Sequence, residues 1–124
     1  MNQLNIENKL PIYKQISEMI IKDIIENRIS ENQRLPSIRS VSKELKVNTL
    51  TVQKAYKDIE RKGYIYSIKG KGYFSYDKNH IKKIRETTVK EKLDNLFREM
   101  IGLNIKKDEI DKTISSFYTQ NRKE

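Results

Sequence analysis

The order of three short amphipathic helices and a glycine-bearing β-hairpin constrains the fold of this chain more than any other feature of the sequence. After Pro11, apolar residues recur at three- and four-residue steps, which predicts a first helix over roughly residues 11–27. A polar stretch then breaks this period. Ser37, directly after Pro36, is a suitable N-cap for a short second helix that extends to about Leu45. Amphipathic helices this close in sequence are expected to share one core.

A third helix is predicted between Asn48, which can cap its start, and Gly63, which can supply the left-handed residue after its end. Its apolar positions repeat at three- and four-residue steps, so we expect one buried face made of Val52, Ala55, Tyr56 and Ile59. At about 100° per residue, the side chains that point almost opposite are Leu50, Lys54, Lys57 and Arg61. Such a row of cations predicts either contact with a polyanion or plain solvation.

A β-hairpin with a basic tip is predicted beyond the third helix. Segments 64–68 and 73–76 are rich in aromatic and β-branched residues, which favours two strands. The four residues between them form a turn that carries two glycines and two lysines: Lys69, Gly70, Lys71 and Gly72. The aromatic side chains are expected to fix the hairpin against the helices rather than to stack on bases.

The composition of the 124-residue chain excludes several classes of function. Lys and Arg number 26 against 17 Asp and Glu, and the net charge of +9 favours nucleic acid or an anionic membrane surface as partner. Cysteine is absent and His80, expected to be exposed, is the single histidine, which leaves few means for a thiolate nucleophile, a catalytic triad or a metal site. Neither a secretory leader nor a membrane span is recognised, so a cytoplasmic protein is expected.

A change of composition near residues 77–80 predicts a boundary between a first domain, residues 1–77, and a tail, residues 78–124. Two helices, interrupted at Gly102 and Asn104, are predicted in the tail. Two amphipathic helices alone cannot bury both apolar faces, so we expect the tail to form a homodimer. The residues assigned to this interface are Val89, Leu93, Leu96, Phe97, Met100, Leu103, Ile110, Ile114 and Phe117.

Three helices with a tight connection between the second and the third, followed by a hairpin, are the order of a winged helix-turn-helix. In that fold the third helix enters the major groove of DNA, which is about 12 Å wide and accepts one helix. The expected fold class is therefore mainly α with a small β-hairpin, a winged helix-turn-helix DNA-binding domain followed by a two-helix C-terminal tail.

Four segments of the sequence carry a resemblance to a known family: residues 11–16, 35–39, 47–56 and 70–74. Through them, residues 11–75 resemble the DNA-binding domain of GntR-type bacterial transcription regulators. The tail resembles that of the YtrA subfamily, whose members dimerise through two short helices and lack the large effector-binding domain of most relatives.

The resemblance implies roles for residues that match the motif of the family. Arg39 matches an arginine that such proteins aim at the operator, and its guanidinium suits guanine O6 and N7. Ser37 matches a residue near a phosphate at the start of the second helix. The third helix and the hairpin, known as the recognition helix and the wing, would contact bases, phosphates and the minor groove through Asn48, Thr49, Thr51, Gln53, Lys69, Gly70, Lys71 and Gly72.

Two positions depart from the pattern of the family. Lys46 stands where relatives often have glycine, so the backbone there is expected either to accept a small left-handed cost or to turn differently. Thr49 and Leu50 stand where relatives often have an arginine. Base recognition is therefore expected to lean on Arg39 and on contacts between Leu50 and thymine methyl groups.

Several of these residues also have a purely structural interpretation. Asn48 and Ser37 can act only as N-caps, and the glycines of the hairpin only as turn residues. Arg61 can pair with Asp58 or Glu60 instead of with DNA.

The pattern as a whole predicts a bacterial DNA-binding transcription regulator, a repressor that binds an inverted-repeat operator as a homodimer. Because positive charge alone attracts any nucleic acid, a non-specific nucleic-acid-binding or architectural protein is the alternative. Neither a nucleotide-binding glycine motif nor a catalytic pair of carboxylates is recognised, so neither an enzyme nor a cofactor is expected. A small-molecule effector would need a pocket of converging polar groups, and the sequence marks none.

Overall fold

The computed structural model describes residues 4, 5, 7 and 9–121. The chain divides into two compact units, Met1–Arg85 and Glu86–Glu124. The division into domains predicted from the composition, residues 1–77 and 78–124, stays a prediction.

The order of elements agrees with the sequence prediction, and the expected fold class is confirmed. Within the described residues there are five helices and one two-stranded antiparallel sheet. The elements are α1 (Ile12–Ile25), α2 (Ile38–Leu45), α3 (Thr49–Arg61), β1 (Ile65–Ile68), β2 (Gly72–Ser75), α4 (Lys78–Gly102) and α5 (Lys107–Gln120).

The first helix is shorter than the predicted range 11–27. Pro11 is its N-cap and has an extended backbone with ψ of 146°, so it lies outside the helix. At the other end Asn27 has a φ of +61°, and this left-handed residue stops the helix two residues after Ile25.

The hydrophobic core of the first unit collects the apolar faces of α1, α2 and α3. The face of α3 predicted to be buried is buried throughout. Apolar residues from the hairpin and from the first turn of α4 close the same core. Its buried members are Ile16, Ile20, Ile24, Ile29, Leu35, Val41, Val52, Ala55, Tyr56, Ile59, Tyr64, Ile65 and Ile81.

The connection between α2 and α3 depends on a left-handed lysine. Lys46 has φ 56° and ψ 47°, so the first of the two outcomes expected at this position is the one observed. The turn is closed by the N–H of Val47, which donates to the carbonyl oxygen of Ser42 at 3.1 Å. A side chain in this conformation costs about 1 kcal/mol that glycine would not.

The end of α3 forms a Schellman motif around Gly63, as predicted. Gly63 has a φ of +89° and donates its N–H to the carbonyl oxygen of Glu60 at 3.0 Å. The N–H of Tyr64 donates to the carbonyl oxygen of Ile59 at 3.2 Å. This motif reverses the chain and leads directly into β1.

The hairpin has a tight turn, and its register pairs Ile65 with Ser75 and Ile68 with Gly72. The N–H of Lys71 donates to the carbonyl oxygen of Ile68 at 2.9 Å, and Gly70 between them has a φ of +78°. A positive φ at this third position is the requirement of a type II turn, which glycine meets without strain.

His80 is half-buried, so the expectation that it is exposed is wrong. Its ring stacks on that of Tyr76, with 3.8 Å between centroids, and its Nε2 lies 3.0 Å from the carbonyl oxygen of Gly63. A Cβ atom at Gly63 would lie 2.7 Å from Cδ1 of Ile84, too close for a real contact, so glycine lets α4 begin this close to the end of α3. The imidazole therefore helps to fix the first turn of α4 against the end of α3.

Among the residues that the structure describes, no helix combines the length and the apolar character needed to cross a membrane.

Candidate nucleic-acid interface

The start of α3 is capped by a residue that was also predicted to contact DNA. Oδ1 of Asn48 accepts a hydrogen bond from the N–H of Leu50 at 2.8 Å, so its role as N-cap is confirmed. Capping uses the carbonyl oxygen of the side-chain amide, whose two N–H groups are donors. Asn48 is exposed, so these donors are accessible.

The side of α3 away from the core is accessible over its whole length. Thr49, Gln53 and Lys57 are exposed, and Thr51 is half-buried. Leu50 is 68% exposed. The first turns of α3 thus present polar groups around one exposed apolar side chain.

A shallow groove runs between the first turns of α1 and α3. Its walls are Ile12 and Tyr13 on one side and Leu50, Thr51 and Lys54 on the other. Nζ of Lys54 lies 4.2 Å from the centroid of the Tyr13 ring, a cation–π distance that limits where this ammonium group can point.

At the end of α3, the carboxylate of Asp58 pairs with two neighbouring cations. The side chain of Asp58 is buried and pairs with Arg61 and with Lys62, whose Nζ lies 3.0 Å from Oδ2. Burial alone would raise the pKa of Asp58, but hydrogen bonds from Lys62 and Ser17 and the charges of Lys62 and Arg61 outweigh it, so the pKa is lowered. Of the two partners predicted for Arg61, the structure selects Asp58. The negative charge of Asp58 therefore offsets part of the positive charge of Arg61 and Lys62.

The start of α2 has the same kind of cap. Oγ of Ser37 accepts a hydrogen bond from the N–H of Ser40 at 3.1 Å, which confirms Ser37 as an N-cap. Arg39 lies in the first turn of α2 and is exposed. Ser37 is exposed as well, so the two side chains predicted to reach the operator from α2 are both accessible.

One buried tyrosine connects α3 to the start of α2 and to the wing. The hydroxyl of Tyr56 donates to the carbonyl oxygen of Pro36, the residue before Ser37. Its ring meets that of Tyr73 in β2 edge to face, with 5.2 Å between centroids. The aromatic residues of the hairpin thus fix it to the helices, as predicted, and three separate parts of the predicted interface share one anchor.

The tip of the wing is exposed at all four predicted positions, Lys69, Gly70, Lys71 and Gly72. The glycines keep the turn slim, and the two lysines add two positive charges to it. Such a slim cationic turn suits a groove or a run of phosphates.

Arg34 is a further cation at the wing that the sequence analysis missed. Its backbone forms a bridge with Phe74 of β2. If Gly72 carried a Cβ atom, that atom would lie 3.3 Å from Nε of Arg34. In the sequence, Arg34 is only the last residue of a polar stretch before residues 35–37, and nothing there indicates that it pairs with the hairpin.

The tail carries the residues predicted to form a dimer interface, and every one of them is at least partly accessible in the single chain. The most exposed are Leu103 at 72%, Phe117 at 62% and Val89 at 59%. The remaining members of this face are Leu93, Leu96, Phe97, Met100, Ile110 and Ile114. Exposed apolar side chains in this number are typical of a surface that is covered by a partner.

Comparison with known proteins gives a matching family model and relatives that are similar over most of their length. The model for bacterial regulatory proteins of the gntR family matches residues 12–74. The transcriptional repressor YtrA of Bacillus subtilis is 33% identical over 98 residues, which cover 77% of this chain and 75% of YtrA.

Two solved structures show the same fold. A GntR family transcriptional regulator from Listeria monocytogenes has a TM-score of 0.68 and 31% identity, and the match covers 88% of this chain and 96% of that one. The DNA-binding domain of AraR, solved in complex with its operator ORR3, has a TM-score of 0.53 and 31% identity over 60% of this chain and 90% of its own. The family model spans α1 to β2, and it therefore includes α2, α3 and the wing, which make up the candidate interface. This chain belongs to the GntR family of bacterial regulatory proteins.

Proposed function

We propose that this protein is a transcription repressor that binds an inverted-repeat operator as a homodimer. The observation that supports this most is the common anchor at Tyr56, which ties α3, the start of α2 and the wing together while their predicted DNA contacts stay exposed. Rigid support of exposed polar and cationic side chains is what base recognition requires.

The side chains of this interface fall into two groups, those that suit bases and those that suit phosphates. Arg39 suits a bidentate contact with guanine, which would contribute to sequence specificity. Four lysines suit phosphates, whose contacts contribute affinity for any sequence: Lys54, Lys57, Lys69 and Lys71. Further polar contacts would come from the first turns of α2 and α3, through Ser37, Asn48, Thr49, Thr51 and Gln53.

Leu50 suits the methyl group of thymine. It is exposed at the start of α3 and borders a groove whose other wall includes the apolar side chain of Ile12. Replacing thymine by uracil removes that methyl group and leaves base pairing intact. We therefore expect weaker binding to a uracil-substituted operator, and no such difference for Leu50→Ala.

The tail, residues 78–124, would supply the dimer, and residues 1–77 would supply the DNA-binding part. Two copies of α3 would then dock about one or two turns of DNA apart, which matches an inverted repeat. A protein that competes for promoter DNA acts in the cytoplasm and needs no catalytic group or cofactor.

The test begins with selection of binding sites from a random duplex library by the full chain. On the selected site, Arg39→Ala is expected to lose about 1 to 3 kcal/mol of binding free energy, and much less on a scrambled duplex. Lys71→Ala should weaken binding to both duplexes alike, because phosphates are present in every sequence.

Two outcomes would contradict the proposal. One is a selection that enriches no sequence, which would favour the alternative of a non-specific or architectural nucleic-acid-binding protein, an alternative that the net charge of +9 also fits. The other is an equal loss for Arg39→Ala and Lys71→Ala on both duplexes.

A further inference from the structure

Arg34 is fixed beside the wing by backbone pairing. The segment before α2 runs along β2, where the N–H of Leu35 donates to the carbonyl oxygen of Tyr73 at 2.8 Å. One step further along, the N–H of Ser75 donates to the carbonyl oxygen of Gln33 at 3.0 Å. Arg34 lies between these two bonds and bridges to Phe74. The backbone of Arg34 is therefore held beside the wing, although the residue is distant from the wing in sequence.

The guanidinium of Arg34 lies over the backbone of Gly72. A Cβ atom on Gly72 would lie 3.3 Å from Nε of Arg34, closer than most real Cβ contacts, and 3.6 Å from its Nη2, an ordinary contact distance. Gly72 also has a φ of +104°, which a side chain would strain. Glycine at this position thus leaves room for a flat cation at the side of the turn.

The charge of Arg34 is available to a ligand. The residue is exposed, and across residues 9–121 its guanidinium has no ion pair with a carboxylate. In contrast, Arg28 and Arg61 are both paired with aspartates. An unpaired guanidinium at the wing adds to the charge of Lys69 and Lys71.

We propose that Arg34 is the residue that reads the minor groove, and that the protein therefore prefers A·T base pairs where the wing meets the operator. This inference rests on the proposed function. A·T-rich DNA has a narrow minor groove with enhanced negative potential, which attracts arginine in particular. Guanidinium enters such a groove more readily than ammonium because it is more weakly hydrated. The wing lysines, which flank Gly70 in the sequence, would contact the phosphates along the groove.

The inference predicts a specific response to base analogues. Inosine paired with cytosine presents the major-groove edge of a G·C pair but lacks the 2-amino group that guanine places in the minor groove. If Arg34 reads the minor groove, replacing the A·T pairs under the wing by inosine·cytosine should keep most of the affinity. Replacing them by G·C should lower the affinity about fivefold or more.

The experiment measures binding of the full chain to the selected duplex and to these two substituted duplexes. Arg34→Lys keeps the charge, and we expect it to bind the three duplexes with nearly equal affinity. Lys71→Ala is the control, which should bind each duplex more weakly by the same factor and keep the discrimination between inosine·cytosine and G·C.

Three results would overturn the inference while the proposed function stands. They are a selected site without A·T pairs beside the α3 contacts, equal weakening by inosine·cytosine and G·C, and unchanged discrimination in Arg34→Lys. If the selection enriches no sequence at all, the proposed function fails, and the inference fails with it.

Discussion

The hydroxyl oxygen of Tyr56 lies 2.5 Å from the carbonyl oxygen of Pro36, to which it donates a hydrogen bond. Burial, and to a lesser extent the neighbouring Tyr73, raise the pKa of Tyr56 well above its ordinary value, so the hydroxyl keeps its proton at neutral pH. Because Pro36 precedes the cap of α2, this bond sets the position of α2 relative to α3. The same ring contacts the wing through Tyr73.

Removing this hydroxyl should destabilise the protein more than removing that of Tyr73, which is half-buried and makes no hydrogen bond among the described residues. Tyr56→Phe leaves the Pro36 carbonyl without its donor, and we expect the free energy of unfolding to fall by about 1 kcal/mol. Tyr73→Phe is the matched control because it keeps the ring contact with Tyr56, and it should change stability by less than about 0.5 kcal/mol. Urea denaturation of both variants measures the difference, and equal losses would contradict the anchoring role of the hydroxyl.

Asp58 should make the stability of the protein depend on pH in the acid range. Its pKa in the folded state is lowered from 3.8, so its carboxylate stabilises the fold fully above that ordinary value. The contribution is lost as the pH falls through the lowered pKa, because the protonated group no longer attracts Lys62 and Arg61.

The measurement compares the wild type with Asp58→Asn by urea denaturation from neutral pH down to the acid limit of folding. We expect the wild type to be more stable by about 1 to 3 kcal/mol at neutral pH. The difference should shrink as the pH falls below 3.8. A difference that stays constant over this range would show that the charge of Asp58 has no part in stability.

Lys46 offers a stabilising substitution. Its backbone is left-handed, so Lys46→Gly should raise the free energy of unfolding by about 0.5 to 1 kcal/mol. Lys43, in the last turn of α2, is the control, since glycine inside a helix should lower stability by about 1 kcal/mol. Thermal or urea unfolding gives both values. If the two glycine variants shift stability in the same direction, the backbone strain assigned to Lys46 is wrong.

The tail should dimerise through its exposed apolar face. Replacing Leu96 and Met100 together by Asp would place two charges in that interface, so we expect monomers in sedimentation and an operator affinity about 100-fold lower or more. Arg98→Asp lowers the net charge by the same amount, and at helical spacing it lies opposite Leu96. It should remain a dimer. A wild-type chain that sediments as a monomer and still binds the operator tightly would exclude this model.

The local features of the fold were predictable because short-range rules decide them. Ser37 and Asn48 are capping residues directly before apolar periodic segments, and both cap their helices. Gly63 ends α3 for an equally local reason. Lys46 left two outcomes open because lysine has no preference for a left-handed backbone, and only the packing of α2 against α3 selects it.

The features that the sequence did not reveal depend on contacts between distant segments. Arg34 joins the wing because residues 32–35 pair with β2, and no turn residue in the sequence predicts this pairing. His80 is half-buried because the end of α3 and Tyr76 meet at the start of α4. Both depend on how the core closes, so hydrophobic periodicity within each segment could not predict them.

The N-cap of α3 affects how a lineage of such proteins can acquire a new target site. Asn48 holds the start of α3 together through the N–H of Leu50, so exchanging it disturbs the helix itself. Leu50 and Gln53 are exposed and take no part in capping through their side chains. In the proposed interface, drift in target preference should therefore begin at Leu50 and Gln53, because a new side chain at these exposed positions does not weaken the cap of the helix.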